Sequence, residues 1–154
     1  MSRPKRPAPP LDPAALERLA LRYVERFQTT RAKLARYLSE KVRARGWAGD
    51  RAADPAGLAD RMSALGYVDD RAWAEAKAGA MTRRGLGGRR VAGALRQAGV
   101  TDDDAVVAEP VVAEGRVAAA LALARRKRIG PFAATPADRV QREKQLAALV
   151  RGGH

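Results

Sequence analysis

Two strings of this sequence are dense in cations. One is Arg83-Arg84-Gly85-Leu86-Gly87-Gly88-Arg89-Arg90, with Arg96 a turn and a half further on; the other is Arg125-Arg126-Lys127-Arg128. Guanidinium groups are planar forks that pair with phosphates and carboxylates, so the chemistry on offer is the binding of anions. The first string reads as a helix C-terminus, a glycine turn and a helix N-terminus. Arg at a C-terminus complements the helix dipole. N–H groups at the next N-terminus, flanked by Arg89 and Arg90, could accept a phosphate or a carboxylate. An equal alternative is a flexible turn with solvated charges. The glycines do not make a P-loop, because no Gly-Lys-Ser/Thr follows and no strand precedes them. The second string ends a helix before Gly130-Pro131, either neutralising its dipole or touching a nucleic-acid backbone or an acidic partner.

Other residue types argue against catalysis. Asp102-Asp103-Asp104 resembles an acid cluster, but it follows Gly99-Val100-Thr101 at a helix start, where carboxylates cap free N–H groups. The sequence has no Cys, and its one His is His154. Disulfides, cysteine zinc sites and histidine general bases are thereby excluded. No Ser/His/Asp set can be assembled. The expectation is a protein that is not an enzyme and takes no metal or cofactor.

Composition points the same way. The chain has 154 residues and a net charge of +13. That balance suits a polyanion, nucleic acid first. Arg far outnumbers Lys, as coding bias in a GC-rich genome could explain, but bias does not account for the size of the net charge. The charge is also patterned: stretches 76–101 and 115–137 hold no acidic residue. The longest apolar run, 117–124, falls short of the roughly 20 residues that span a bilayer. No export signal is visible in the Pro-rich, basic start, so a cytoplasmic protein with no membrane partner is expected.

The elements that position these strings are helices. Asp12-Pro13 and Asp54-Pro55 each read as N-cap followed by a proline that needs no donor. Leu16, Leu19, Ala20, Tyr23, Val24 and Phe27 give a first apolar face. Thr29 or Thr30 starts a second helix, with Leu34, Tyr37, Leu38 and Val42, ending near Gly46. Leu58, Met62 and Leu65 follow, and Gly66 ends that helix. In Gly66-Tyr67-Val68-Asp69-Asp70 with Trp73, each residue serves the fold. Gly66 leaves the helix at positive φ, Tyr67 and Val68 pack back on the core, and Asp69 or Asp70 caps the next helix. That helix carries Trp73, Ala76, Ala80 and Met81. The next carries Val91, Ala94, Leu95 and Ala98, and a short one from Thr101 or Asp102 is limited by Pro110. A helix from about Val111 to Arg128 uses Val117, Leu121 and Ala124. A last helix starts at Thr135-Pro136, with Val140, Leu146, Leu149 and Val150. No segment alternates as a strand does.

A weak repeat of about 55 residues is visible, within the range of helical arrays. Leu34-x3-Leu38 answers to Val91-x3-Leu95, and Leu95-x3-Gly99 to Leu149-x3-Gly153. The expected fold is all-α, an elongated array of tandem three-helix repeats. A basic Pro-rich disordered tail covers 1–11, and repeats cover 12–66, 67–110 and 111–154, the third lacking its last helix.

Together these strings carry a resemblance. Gly66-Tyr67-Val68-Asp69-Asp70-Arg71-x-Trp73, followed by the string from Arg83 through Arg90, Val91-x3-Leu95 and Gly99-Val100, looks like the central region of the RecX family. Arg22-Tyr23-x2-Arg26-Phe27-x2-Thr30-Arg31-x2-Leu34-x3-Leu38 resembles its first unit, and Leu121-x-Leu123-Ala124-Arg125-Arg126 the start of its third. The resemblance implies a modulator of the RecA recombinase. Such a modulator lodges in the groove of the RecA–DNA filament and most often inhibits strand exchange, ATP hydrolysis and the co-protease role in the SOS response. The implied partners are the RecA filament and single- or double-stranded DNA, met by a monomer. The matched Arg83, Arg84, Arg89, Arg90 and Arg96, then Arg125, Arg126, Lys127 and Arg128, are the implied RecA- or DNA-binding residues. The alternative is a free-standing basic helical DNA-binding protein.

Overall fold

The computed structural model describes residues 8–154. These form eight α-helices and no strand: α1 (Pro13–Arg26), α2 (Arg31–Arg45), α3 (Pro55–Ala64), α4 (Asp70–Arg83), α5 (Gly88–Gln97), α6 (Asp102–Ala105), α7 (Ala108–Lys127) and α8 (Arg139–Arg151), with one 3₁₀ turn at Gly130–Phe132. The fold is all-α. The chain divides between Asp69 and Asp70 into two compact units.

In the first unit the caps act as their sequences dictate. The Asp12 carboxylate accepts from the Ala15 N–H at 2.7 Å, and Asp54 from the Gly57 N–H at 2.8 Å. Of the two candidate threonines, Thr30 caps α2, its hydroxyl accepting from the Lys33 N–H at 3.2 Å. Leu16, Ala20, Leu34, Leu38, Leu58 and Met62 close a core against which Tyr23, Tyr37, Val42 and Trp47 pack. Residues 1–7 of the expected tail lie outside the described residues. Its end is ordered: Leu11 is fully buried, its N–H donates to Gly46 O at 2.9 Å, and its carbonyl accepts from the Ala48 N–H at 2.8 Å. After α3, Gly66 does turn at φ +82°. Val68 packs inward, but Tyr67 does not; it is 55% exposed. The core at this corner is already closed by Met62 and Val68, leaving the larger ring outside.

The second unit is built on α4 against α7. Its buried face on α4 is Ala74, Ala78, Met81 and Thr82, one step round from the expected Trp73, Ala76 and Ala80. The reason is close packing of small residues. A Cβ on Gly115 of α7 would lie 2.2 Å from the Thr82 methyl, so the Thr82 side chain packs into the space that glycine leaves free. Trp73 is half-buried beside the core formed by Val91, Leu95, Ala98 and Val100, and Lys77 Nζ sits 5.8 Å from its ring centre. α4 begins at Asp70, whose side chain is buried.

The short helix beyond Gly99 starts at Asp102 under a Thr101 cap, as expected, but the two later helix starts shift. α7 begins at Ala108, so Pro110 falls in its first turn rather than ending the preceding helix. An N–H there has no intrahelical acceptor, and its absence costs little. α8 starts at Arg139, not at Thr135-Pro136, because Asp138 and Gln141 form a reciprocal capping box. Asp138 accepts from the Gln141 N–H at 2.7 Å, and Gln141 Oε1 from the Asp138 N–H at 3.0 Å. The apolar face expected on α7 is also rotated. Ala108, Ala119 and Leu123 are buried, whereas Val117 is 66% and Leu121 47% exposed. On α8, Val140, Leu146 and Val150 are likewise exposed.

Candidate binding site

The first cationic string follows its expected path. α4 ends at Arg83, the chain turns through Gly85 at φ +84°, and Gly87 precedes α5 in extended conformation. What the sequence does not show is how tightly this turn is held. A Cβ on Gly85 would lie 2.9 Å from Leu123 N and 3.2 Å from Ala119 O, so the loop rests on the backbone of α7.

That seating brings the two strings together. The Arg126 guanidinium donates to Arg84 O at 2.7 Å, tying the basic end of α7 to the end of α4. The side chains of Arg83, Arg84, Arg125, Arg126, Lys127 and Arg128 are all exposed around this junction. Not every one is equally available. The Arg125 guanidinium lies 5.1 Å from the ring centre of Phe132. Arg128 closes α7 in the left-handed conformation at φ 54°.

Residues 152–154 occupy the other side of the loop. The Gly87 N–H donates to Gly152 O at 2.8 Å and the Arg89 N–H to Gly153 O at 3.3 Å. The Arg89 guanidinium also donates to His154 O. The His154 ring Nε2 lies 3.0 Å from Gly85 O. Gly153 is buried at φ +96°, where a Cβ would meet Arg90 N at 2.7 Å. The N–H groups of Gly87 and Arg89 are therefore not open to a phosphate; carbonyls of the chain itself satisfy them. Arg89 anchors this segment through both its N–H and its guanidinium, and Arg90 packs beside Gly153 with its side chain exposed. Sequence reasoning missed the latch, although Gly152-Gly153 was its signal: consecutive glycines permit backbone-to-backbone approach.

Arg96 stands apart. It lines a groove of about 610 Å³ formed by α5, α6 and α7, with Val91, Leu95, Val106 and Val112 as its apolar surface and Arg116 on its wall. Arg116 belongs to the acid-free stretch 115–137 but to neither cationic string. The Asp102–Asp104 cluster is a helix start: Thr101 Oγ1 accepts from the Asp104 N–H at 3.3 Å and donates to Asp104 Oδ2 at 3.0 Å. Among the described residues no group of three His, Cys, Asp or Glu side chains is placed to hold a metal ion. No helix there is long and apolar enough to cross a membrane.

Fold and site thus define an all-α protein whose exposed chemistry is a junction of two cationic helix ends. Comparison with known proteins narrows this. No family model matches the chain. Over 160 aligned residues, however, it is 36% identical to Regulatory protein RecX of Myxococcus xanthus (strain DK1622), an alignment covering 97% of this chain and 84% of that protein. The chain belongs to the RecX family.

Proposed function

We propose that this protein regulates the RecA recombinase by binding the RecA–DNA filament in its groove and inhibiting strand exchange, ATP hydrolysis and the co-protease role. It acts in recombination, DNA repair and the SOS response, as a cytoplasmic monomer without catalytic machinery of its own. Family membership supports RecA as the target. The observation that carries the site is the Arg126 to Arg84 O hydrogen bond, which gathers two strings 42 residues apart into one cationic junction. The filament offers anions of two kinds, acidic side chains and the DNA backbone, and exposed guanidinium forks suit both. With α1–α3 and α4–α8 as two compact units, one chain offers two separate surfaces with which to engage more than one protomer.

The test is RecA ATP hydrolysis on single-stranded DNA, titrated with this protein, with naked-DNA binding measured at matched salt. Inhibition is expected well below the concentration that coats the DNA. Inhibition only at DNA saturation would leave a free-standing basic DNA-binding protein instead. Replacing Arg83, Arg84 and Lys127 together with Ala should raise the half-inhibitory concentration roughly tenfold, three exposed cations contributing about 0.5 kcal/mol each. Helical content should not change. An unaltered titration would remove the junction from the site.

A further inference from the structure

The first unit carries an aromatic cluster that regulation of RecA through the cationic junction does not use. Tyr23 and Tyr37 stack across α1 and α2 with ring centres 4.2 Å apart and planes 28° from parallel. Phe27 sits one turn beyond Tyr23, 5.1 Å from its ring centre. Lys41 Nζ lies 5.3 Å from the ring centre of Tyr37. The two tyrosines are half-buried at the edge of the core, but Phe27 is 54% exposed. A phenylalanine at the end of a helix, seated on another ring and otherwise open to water, lacks the partner that would repay its exposure.

The surrounding charges say what that partner is. Arg22 and Arg26, four residues apart, form an exposed row along the last turns of α1 beside the Tyr23–Phe27 row. Glu25 is about 200° round the helix from both Tyr23 and Phe27, so it lies on the Arg22 side and not beside the rings. Glu40 is next to Lys41 on α2, which leaves Arg22 and Arg26 as the cations best placed for an anion. An exposed phenylalanine with cations to one side suits a base that stacks while its phosphate meets a guanidinium. A duplex cannot use such a face, because its bases are already stacked on each other. Nor does an acidic peptide need the ring.

We propose that the Tyr23–Phe27–Tyr37 cluster is a binding site for single-stranded nucleic acid, with one base stacking on Phe27 and the flanking phosphates held by Arg22 and Arg26. It lies in a different unit from the cationic junction and goes beyond the RecA reading, since it requires no RecA. The two therefore fail separately. The experiment is fluorescence anisotropy of a labelled 20-nucleotide oligo(dT), and of a duplex of equal length, with the full chain at fixed salt. Phe27→Ala should weaken oligo(dT) binding roughly tenfold, as loss of one stacked base does. Phe27→Trp should keep or improve it, and duplex binding should be the same in all three proteins. Circular dichroism melting checks that each variant is folded. Equal oligo(dT) affinity for wild type and Phe27→Ala would overturn the proposal. So would an equal loss on single strand and duplex, which would make the effect electrostatic rather than one of stacking.

Discussion

Replacing Gly87 with Ala should unlatch residues 152–154 from the loop between α4 and α5. Gly87 has φ −84°, so alanine meets no backbone strain of its own. The obstacle is space: the new Cβ would lie 2.4 Å from Gly153 O and 2.7 Å from His154 N, both main-chain atoms that no rotamer can move. The segment must shift, and four contacts depend on its place; the exposed Arg89 guanidinium on His154 O can follow the movement, which leaves three to carry the cost: Gly87 N–H to Gly152 O, Arg89 N–H to Gly153 O, and His154 Nε2 with Gly85 O. At a net of about 0.5–1.5 kcal/mol per hydrogen bond, their loss costs about 2–4 kcal/mol. Against this, alanine lowers the entropy of the unfolded chain by an amount worth about 0.4–1 kcal/mol. The net loss is about 1–3 kcal/mol, or a fall in Tm of roughly 3–10 °C for a chain of this size. Thermal melting followed by circular dichroism reads this directly. Gly93→Ala is the matched control, since that glycine lies inside α5 with nothing within 4 Å of its added Cβ. It should gain about 0.5–1 kcal/mol. A Gly87→Ala protein that melts at or above wild type would refute the latch.

Two further substitutions test the fold around the junction. Asp138→Ala removes the capping box of α8 and should cost about 1 kcal/mol, with faster amide exchange confined to the first turn of that helix. In α7, Leu123→Ala should cost about 2–5 kcal/mol by urea denaturation, whereas Leu121→Ala should stay within about 0.5 kcal/mol. The reverse order would mean that α7 presents its other face to α4.

Local chemistry was the most legible part of the sequence. Asp12-Pro13, Asp54-Pro55 and Thr30 fix helix starts through bonds to neighbours three residues away, and Gly46, Gly66 and Gly85 mark ends through their own φ. Such signals need no knowledge of distant residues. Helix faces were less legible where alanine dominates. On α7, Val117, Leu121 and Ala124 recur at helical spacing of four and three, and hydrophobic periodicity therefore selects them over Leu123. The side that packs instead carries Gly115, which leaves room for the Thr82 side chain of α4. Residues on that side, Ala119 and Leu123, then become the core. Thr135-Pro136 misled for a related reason: the start signal was genuine in type, but Asp138 with Gln141 satisfies one more N–H and wins. The cationic strings were visible, but their juxtaposition was not. It depends on Gly85 resting on the α7 backbone, a contact between residues far apart in the chain.

The crossing of α4 and α7 has a thermodynamic consequence. Its buried surface is made of Ala74, Ala78, Thr82 and Ala119, with Leu123 and Met81 as the larger members and half-buried Gly115 beside Thr82. Backbones approach closely there, so dispersion contact is high while little hydrocarbon is hidden per residue. Unfolding such an interface adds little to the heat capacity, below the typical about 12–15 cal/mol/K per residue. A small increment flattens the dependence of stability on temperature. The share of stability contributed by this interface therefore varies little with temperature, while the larger side chains of the core beside it, Val91, Leu95 and Val100, supply the steeper part of the curve.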